Sequence, residues 1–330
     1  MKNRAKINQI ISEIFNDYSS QPISNIYEHL ETGKQGGIEF IKTLFSKSDF
    51  FNQINLVLAN NLQGNKFKGV ITSPATGRRE ARQSTNLGSD GFKFELQEVD
   101  TGVAFSWNHL DSLADLYEKD LKNEYLERIL STIVFDILQI GWNGKNSALM
   151  TENTDLSDVD KGWLKLLAEQ KPENIIQQGK EQNIIKVFGE NADYKTLSEL
   201  AFALKSKLLP HHQQRNDLFL MIGRDLISKQ ENLLIDTSKA IHNAELESIK
   251  FQNVIAGLPV ITPPNFPAKG AAITTLSNLS FYIDPISCRF SIKNDEEKKQ
   301  LVYRFYRRQC YVVEDLNLMA AVNEKNIILS

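Results

Sequence analysis

Between residues 108 and 140, apolar and aromatic side chains return every three or four positions: Leu110, Leu113, Tyr117, Leu121, Tyr125, Ile129, Ile133 and Ile137. That period lines one face of an α-helix. Asn108 is placed to cap the start, Asp111 lies near the positive end of the helix dipole, and Gly141 with Gly144 ends the run. At 1.5 Å per residue the predicted rod is about 50 Å long, several times the common helix length. Such a rod suits a shell or scaffold part better than a compact pocket.

Other stretches give shorter elements. Ile7, Ile10, Ile11, Ile14, Phe15 and Tyr18 share a helical stripe that Ser19, Ser20 and Pro22 interrupt. This leading helix either detaches on its polar linker or packs permanently on the main body. The pattern predicts a helix over 38–51 and a strand over 54–58. Further on it predicts helices over 161–170 and 194–209, a buried strand over 217–223, and a helix from Asp225. From residue 249 the chain turns β-rich: Pro259, Pro263, Pro264 and Pro267 punctuate short apolar runs, and Phe281-Tyr282-Ile283 and Tyr311-Val312-Val313 read as strands. Helices in the middle and strands at both ends predict an α+β fold without internal repeats.

Residues 64–93 break the pattern. They hold Gly64, Gly69, Gly77, Gly88 and Gly91, with six basic side chains (Lys66, Lys68, Arg78, Arg79, Arg82, Lys93) against two acidic ones (Glu80, Asp90). Too few large apolar residues are present to anchor this arm to its own domain, so something else orders it or it stays mobile. Phe92, Phe94 and Leu96 alternate with Lys93 and Glu95, the pattern of a long hairpin's return strand.

Composition narrows the class. A chain of 330 residues can bury a full core, and the usual domain size predicts two lobes. A formal charge of −3 lacks the basic excess typical of polyanion-binding proteins. Cys288 and Cys310 are too few for a disulfide framework or a zinc site and read as reduced, part-buried thiols. No apolar run approaches the roughly 18 residues of a membrane span, and the amino terminus lacks a signal-peptide core, which predicts a soluble, cytosolic product.

Catalytic motifs are scarce. Gly64-Asn65-Lys66-Phe67-Lys68-Gly69 has the glycine spacing of a phosphate loop, but Val70 stands where its lysine belongs. Neither a Gly-x-Ser-x-Gly elbow nor a His-Glu-x-x-His helix occurs. Asp158, Asp160 and Glu169 occupy the first, third and twelfth places of a calcium loop, yet Gly162 and Trp163 spoil the fifth and sixth. Helix capping accounts for those aspartates better. His211 and His212 follow Pro210 in a polar turn, where neighbours point apart, which disfavours a metal pair; His29, His109 and His242 have no catalytic partner nearby in sequence. Tyr303-Arg304-Phe305-Tyr306-Arg307-Arg308 interleaves aromatics and arginines as single-strand binders do, but acidic residues surround it. A structural strand with paired arginines is the expectation.

Several short motifs, in order, resemble a known family: Ser48-Asp49-Phe50 with Ile54-Asn55, Gly141-Trp142-Asn143-Gly144, Lys161-Gly162-Trp163-Leu164, Gly257-Leu258-Pro259, Pro264 with Phe266-Pro267-Ala268, Leu276-Ser277-Asn278-Leu279-Ser280, and Tyr311-Val312-Val313-Glu314-Asp315. Together they resemble the major capsid proteins of tailed bacteriophages of the peduovirus type, with the Hong Kong 97-type capsid fold. The resemblance implies an amino-terminal arm over 1–47, open to processing by a phage protease between residues 19 and 37. It implies a peripheral domain over 48–59 and 107–184 containing the long spine helix, an extended loop over 60–106 lapping onto a neighbouring subunit, an axial domain over 185–265, and a β-rich return to the peripheral domain over 266–330. The implied function is structural, with no enzyme activity and no cofactor: hexamers and pentamers self-assemble into an icosahedral shell around packaged double-stranded DNA. Scaffolding protein, maturation protease and portal are the implied partners, with no membrane, and procapsid maturation follows assembly in the host cytoplasm. Lys66, Lys68, Arg78, Arg79 and Arg82 are the expected inter-subunit contacts. Two alternatives stay open: a nanocompartment shell of the same fold, and a soluble hydrolase with scattered triad residues.

Overall fold

The computed structural model of the chain describes residues 30–31, 33–66, 93–109, 112, 121–230 and 254–329. In chain order, strand β1 (Leu30–Glu31) precedes helices α1 (Gly33–Phe45) and α2 (Asp49–Gln53) and strands β2 (Asn55–Leu58), β3 (Gln63–Asn65), β4 (Lys93–Glu95) and β5 (Gln97–Ser106). Next come α3 (Leu121–Asn143), α4 (Trp163–Gln170), β6 (Ile175–Ile176), β7 (Ile185–Val187), α5 (Leu197–Lys207), α6 (Pro210–Gln213) and β8 (Phe219–Ile222). The last third holds β9 (Val254–Ile255), β10 (Leu258–Ile261), β11 (Ala271–Thr274), β12 (Leu279–Asp295), β13 (Gln300–Val313), β14 (Ala320–Val322) and β15 (Ile327–Leu329).

The described residues divide into two units. One takes residues up to 66, from 93 to 138 and from 281 to 310; the other takes 139–280 and 311–329. In the first, a five-stranded sheet runs β1-β12-β13-β5, with β2 also on β12. Ten consecutive pairs, from Gln300 opposite Ser106 to Gln309 opposite Gln97, join β13 to β5. Helix α1 forms despite three glycines because its apolar face is taken up by the sheet, where Phe40 meets Phe290 at 4.6 Å and Phe305 at 4.8 Å.

Where a single helix over 38–51 was expected, the structure has two. The first ends at Phe45, and Ser48 starts the second, its side chain accepting from the Phe51 amide at 3.3 Å. A cap in mid-run outweighs the continuing apolar period. The hairpin expectation holds: β3 and β4 pair antiparallel, and Phe94 covers Gly64, where a Cβ would come within 2.8 Å of its ring. Gly64 and Asn65 are thus hairpin strand, unlike a phosphate loop.

The basic-aromatic run lies on β13 and is structural, as expected. Arg304 bonds Asp100 at 2.6 Å and Arg308 bonds Glu98 at 3.0 Å across the strand pair. Arg307 points inward, 0% exposed, bonded to Thr101 at 2.8 Å and to Gln309 at 2.5 Å over the face of Phe305.

The long rod is helical wherever it is described, at 107–109, 112 and 121–143. Its ends differ from the expected ones. Residues 107–109 are already helical, and Ser106 rather than Asn108 accepts the His109 amide, at 3.3 Å. The helix also runs through Gly141 to Asn143 before Gly144 ends it. Ile129, Leu130, Ile133, Val134, Ile137 and Leu138 form its buried face. The leading helix over 7–18 lies outside the described residues.

In the second unit a six-stranded mixed sheet runs β6-β14-β11-β8-β10-β9, and β15 pairs parallel with β7. Leu197, Leu200, Ala201 and Leu204 of α5 pack against it with Leu220, Ile222 and Ile273. Thr196 caps α5, accepting the Glu199 amide at 3.2 Å. His211 and His212 do not point apart: they sit in α6 with ring centroids 4.0 Å apart, because a helical turn replaces the open turn expected. His212 Nε2 lies 3.0 Å from Asp315; burial lowers its pKa against the pull of that carboxylate.

Candidate functional site

Within the second unit, motifs scattered over 170 positions of sequence converge into one node. The end of α3 supplies Trp142, whose ring meets Trp163 of α4 at 4.8 Å and Phe266 at 4.9 Å, both edge-on. Trp163 also meets Tyr311 at 5.2 Å and donates its indole N–H to the Ser280 carbonyl oxygen at 3.0 Å. Edge-on rings put positive rims against negative faces, which adds to the gain from burial. Ser280 passes the connection on, its hydroxyl donating to Glu314 at 2.6 Å. Beside it the Asn278 side chain accepts the Asp315 amide at 2.8 Å and donates to the Asp315 carbonyl oxygen at 2.9 Å.

The glycines of these motifs have a steric reason. A Cβ at Gly144 would lie 2.0 Å from the Asp160 carbonyl oxygen, and one at Gly162 would lie 2.4 Å from that of Gly141. Main chain touches main chain here, and only glycine leaves room. A Cβ at Gly141 would strike the Trp163 ring at 2.5 Å.

Between those glycines the chain leaves the node as a loop over 145–161. Its base is closed by the Lys145 amide on the Ser157 carbonyl oxygen at 2.7 Å and the Ala148 amide on that of Asp158 at 2.8 Å. Asp158 is buried, and one carboxylate oxygen accepts the amides of Glu152 at 2.7 Å and Asn153 at 3.1 Å. Those backbone bonds, the Glu152 one foremost, hold its pKa below the usual carboxylate range. Asp160 accepts from the Ser147 hydroxyl at 3.0 Å and the Lys161 amide at 2.7 Å. The expectation that these aspartates cap a helix is therefore corrected: Gly162 occupies the cap position of α4 with no side-chain cap, and the carboxylates brace the preceding loop. The braced loop holds Leu149 and Met150 at its tip, 106% and 82% exposed.

Next to the loop base lies a half-open cleft of ≈ 520 Å³. Leu164, Ala168, Phe266 and Val322 supply apolar lining; Lys165 and Glu324 are among its charged groups. Burial raises the Glu324 carboxyl, while Lys325, Lys145 and Lys269 pull it the other way.

Of the five expected contact residues, the structure describes one. Lys66 follows β3, 8% exposed and engaged within its own chain. Lys68, Arg78, Arg79 and Arg82 lie outside the described residues, as do His29 and His242. Among the described residues no group of three or more His, Cys, Asp or Glu is placed to hold a metal ion. Nor is any described helix long and apolar enough to cross a membrane. Cys288 and Cys310 are buried thiols not joined in a disulfide, and burial pushes the Cys288 thiol up to about 12. What sequence reasoning missed is the braced loop. Its signal was present as the adjacent apolar pair Leu149-Met150 in the stretch between two Gly-Trp motifs.

A spine helix, a hairpin, and two sheet-based units define a phage capsid fold of the Hong Kong 97 type. The chain superposes on the satellite phage P4 procapsid structure that includes the size determination (Sid) protein, with a TM-score of 0.72, 24% identity, and coverage of 88% of this chain and 99% of that one. The family profile described as "Phage major capsid protein, P2 family" matches residues 16–325, and the chain belongs to that family. It is 26% identical over 295 residues to the "Capsid proteins" of Escherichia phage P2, covering 83% of this chain and 81% of that one. It is 24% identical over 313 residues to the "Major capsid protein" of Serratia phage KSP20, covering 90% and 86%. The protein is thus a phage major capsid protein, a structural component of the virion capsid that assembles into a shell of capsomers.

Proposed function

We propose that the chain forms the hexamers and pentamers of an icosahedral head that holds double-stranded DNA. Shell formation proceeds in the host cytoplasm on a scaffolding protein, with a portal at one vertex, and a maturation protease then trims the amino-terminal arm. Segments 48–59 and 107–184 act as the peripheral domain, 185–265 as the axial domain, 266–330 as the return to the periphery, and 60–106 as the loop that laps onto the next subunit. The family match across residues 16–325 carries this reading. It is supported by the arm's composition, since a basic, glycine-rich segment gains contacts by lying on another copy.

Lys68, Arg78, Arg79 and Arg82 are the arm's contact residues, with Lys66 anchoring its foot inside its own chain. Each exposed pair contributes at most about 1 kcal/mol, so the effect comes from repetition over the lattice. Replacing Arg78, Arg79 and Arg82 together by alanine is expected to lower particle yield while the subunit's melting curve stays unchanged. Unchanged yield would contradict the arm's role. Imaging the particles and identifying their contents separates a genome-holding head from a nanocompartment around cargo protein.

A further inference from the structure

Leu149 and Met150 are the two most exposed large apolar side chains among the described residues, yet the loop beneath them is closely tied down. Asp158 holds two amides near the tip, Asp160 holds Ser147, and two main-chain bonds close the base. Apolar groups on a loose loop could fold away from water; these are held out in it. A braced tip has already lost its conformational entropy, so docking it costs less than ordering a flexible loop. Methionine adapts its shape to whatever surface it meets.

Beside the loop, in the same unit, lies the ≈ 520 Å³ cleft, within the range of roughly 300–1,000 Å³ that encloses small ligands. Its apolar lining of Leu164, Ala168, Phe266 and Val322 suits two aliphatic side chains, and the chain's own tip leaves it open. The cleft carries Lys145, Lys165 and Lys325 against Asp155 and Glu324, a small basic excess, and exposed Glu152 stands beside the tip. Lys145 and Asp155 belong to both features, so knob and hole sit side by side on one surface. A surface carrying a knob next to its hole is self-complementary: two copies related by a two-fold axis can each seat a knob in the other's hole.

We infer that the Leu149–Met150 tip of one copy seats in the Leu164–Phe266 cleft of an adjacent copy, as a repeated contact of the shell. The inference rests on the chain being a shell subunit and names a surface distinct from the basic arm.

The test joins tip to cleft. In particles carrying Met150→Cys with Leu164→Cys, diamide oxidation is expected to give disulfide-linked dimers, whereas dissociated subunits stay monomeric; the native cysteines are buried and contribute little. In parallel, Leu149→Asp with Met150→Asp is expected to cut particle yield about tenfold or more, with unchanged subunit melting because both side chains are exposed. Particles without linked dimers, together with normal yield from the aspartate variant, would overturn the inference and leave the shell reading standing. A wild-type chain that makes no particle under any assembly condition would overturn both.

Discussion

The indole N–H of Trp163 donates to the carbonyl oxygen of Ser280 at 3.0 Å, joining positions 117 residues apart in sequence. Trp163→Phe keeps most of the ring packing and deletes this donor, for an expected loss of about 1–3 kcal/mol. Trp163→Ala also vacates the ring's space between Trp142 and Tyr311 and should lose about 3–5 kcal/mol. Urea unfolding of the three proteins, followed by circular dichroism, should rank them in that order. Equal stability of the phenylalanine variant and wild type would remove the hydrogen bond from the account.

Gly144 and Gly102 make a matched pair of glycine tests. Gly144→Ala drives a Cβ to 2.0 Å from one backbone oxygen and 2.7 Å from another, neither of which can rotate away, and should leave little folded protein. Gly102→Ala on β5 meets nothing within 4 Å and should change stability by no more than about 0.5 kcal/mol. Soluble yield and melting temperature check both.

The three arginines of β13 should differ sharply. Arg307 is buried, and its removal deletes hydrogen bonds to Thr101 and Gln309 and leaves a cavity in the core, so Arg307→Ala should cost about 2–5 kcal/mol. Arg304→Ala and Arg308→Ala break solvent-exposed pairs and should cost at most about 1 kcal/mol each. Similar losses at all three positions would show that Arg307's burial does not set its worth.

Asp158 gives the loop a pH signature. Its pKa is depressed in the folded chain, so its contribution is present above the unfolded value of about 3.9 and is lost as pH falls through the folded value. Asp158→Asn keeps an acceptor oxygen without the charge. The difference between wild type and variant in amide exchange at Glu152 and Asn153 should be widest at neutral pH and close in acid. A difference that grows on acidification would have the wrong sign for a braced carboxylate.

Much of this architecture was legible in the chain. The helical period predicted α3, and its buried face is the stripe of Ile129, Ile133 and Ile137. The alternation at Phe94 predicted the β3–β4 hairpin, and Tyr303–Arg308 is the expected structural strand with paired arginines, though the partners are Asp100 and Glu98 of β5 and not the acidic residues near it in sequence. Boundaries were harder, because serine caps act through one hydrogen bond that periodicity does not register: Ser48 starts a second helix and Ser106 replaces Asn108. The loop aspartates were misread for a related reason. A carboxylate before a helix can bond the helix amides or those of the preceding loop, and the glycine contacts at 144 and 162 decide which lie within reach. Knob and cleft were illegible because the cleft draws its walls from α3, α4, the 266–271 stretch and β14, which only folding brings together.

The central claim is that this subunit completes itself only against its own copies. Electron microscopy of the purified, concentrated protein, alone and together with its scaffolding protein, tests it most directly. Closed isometric shells of uniform size are the predicted result; dispersed monomers in both preparations, even as concentration rises, would contradict the account.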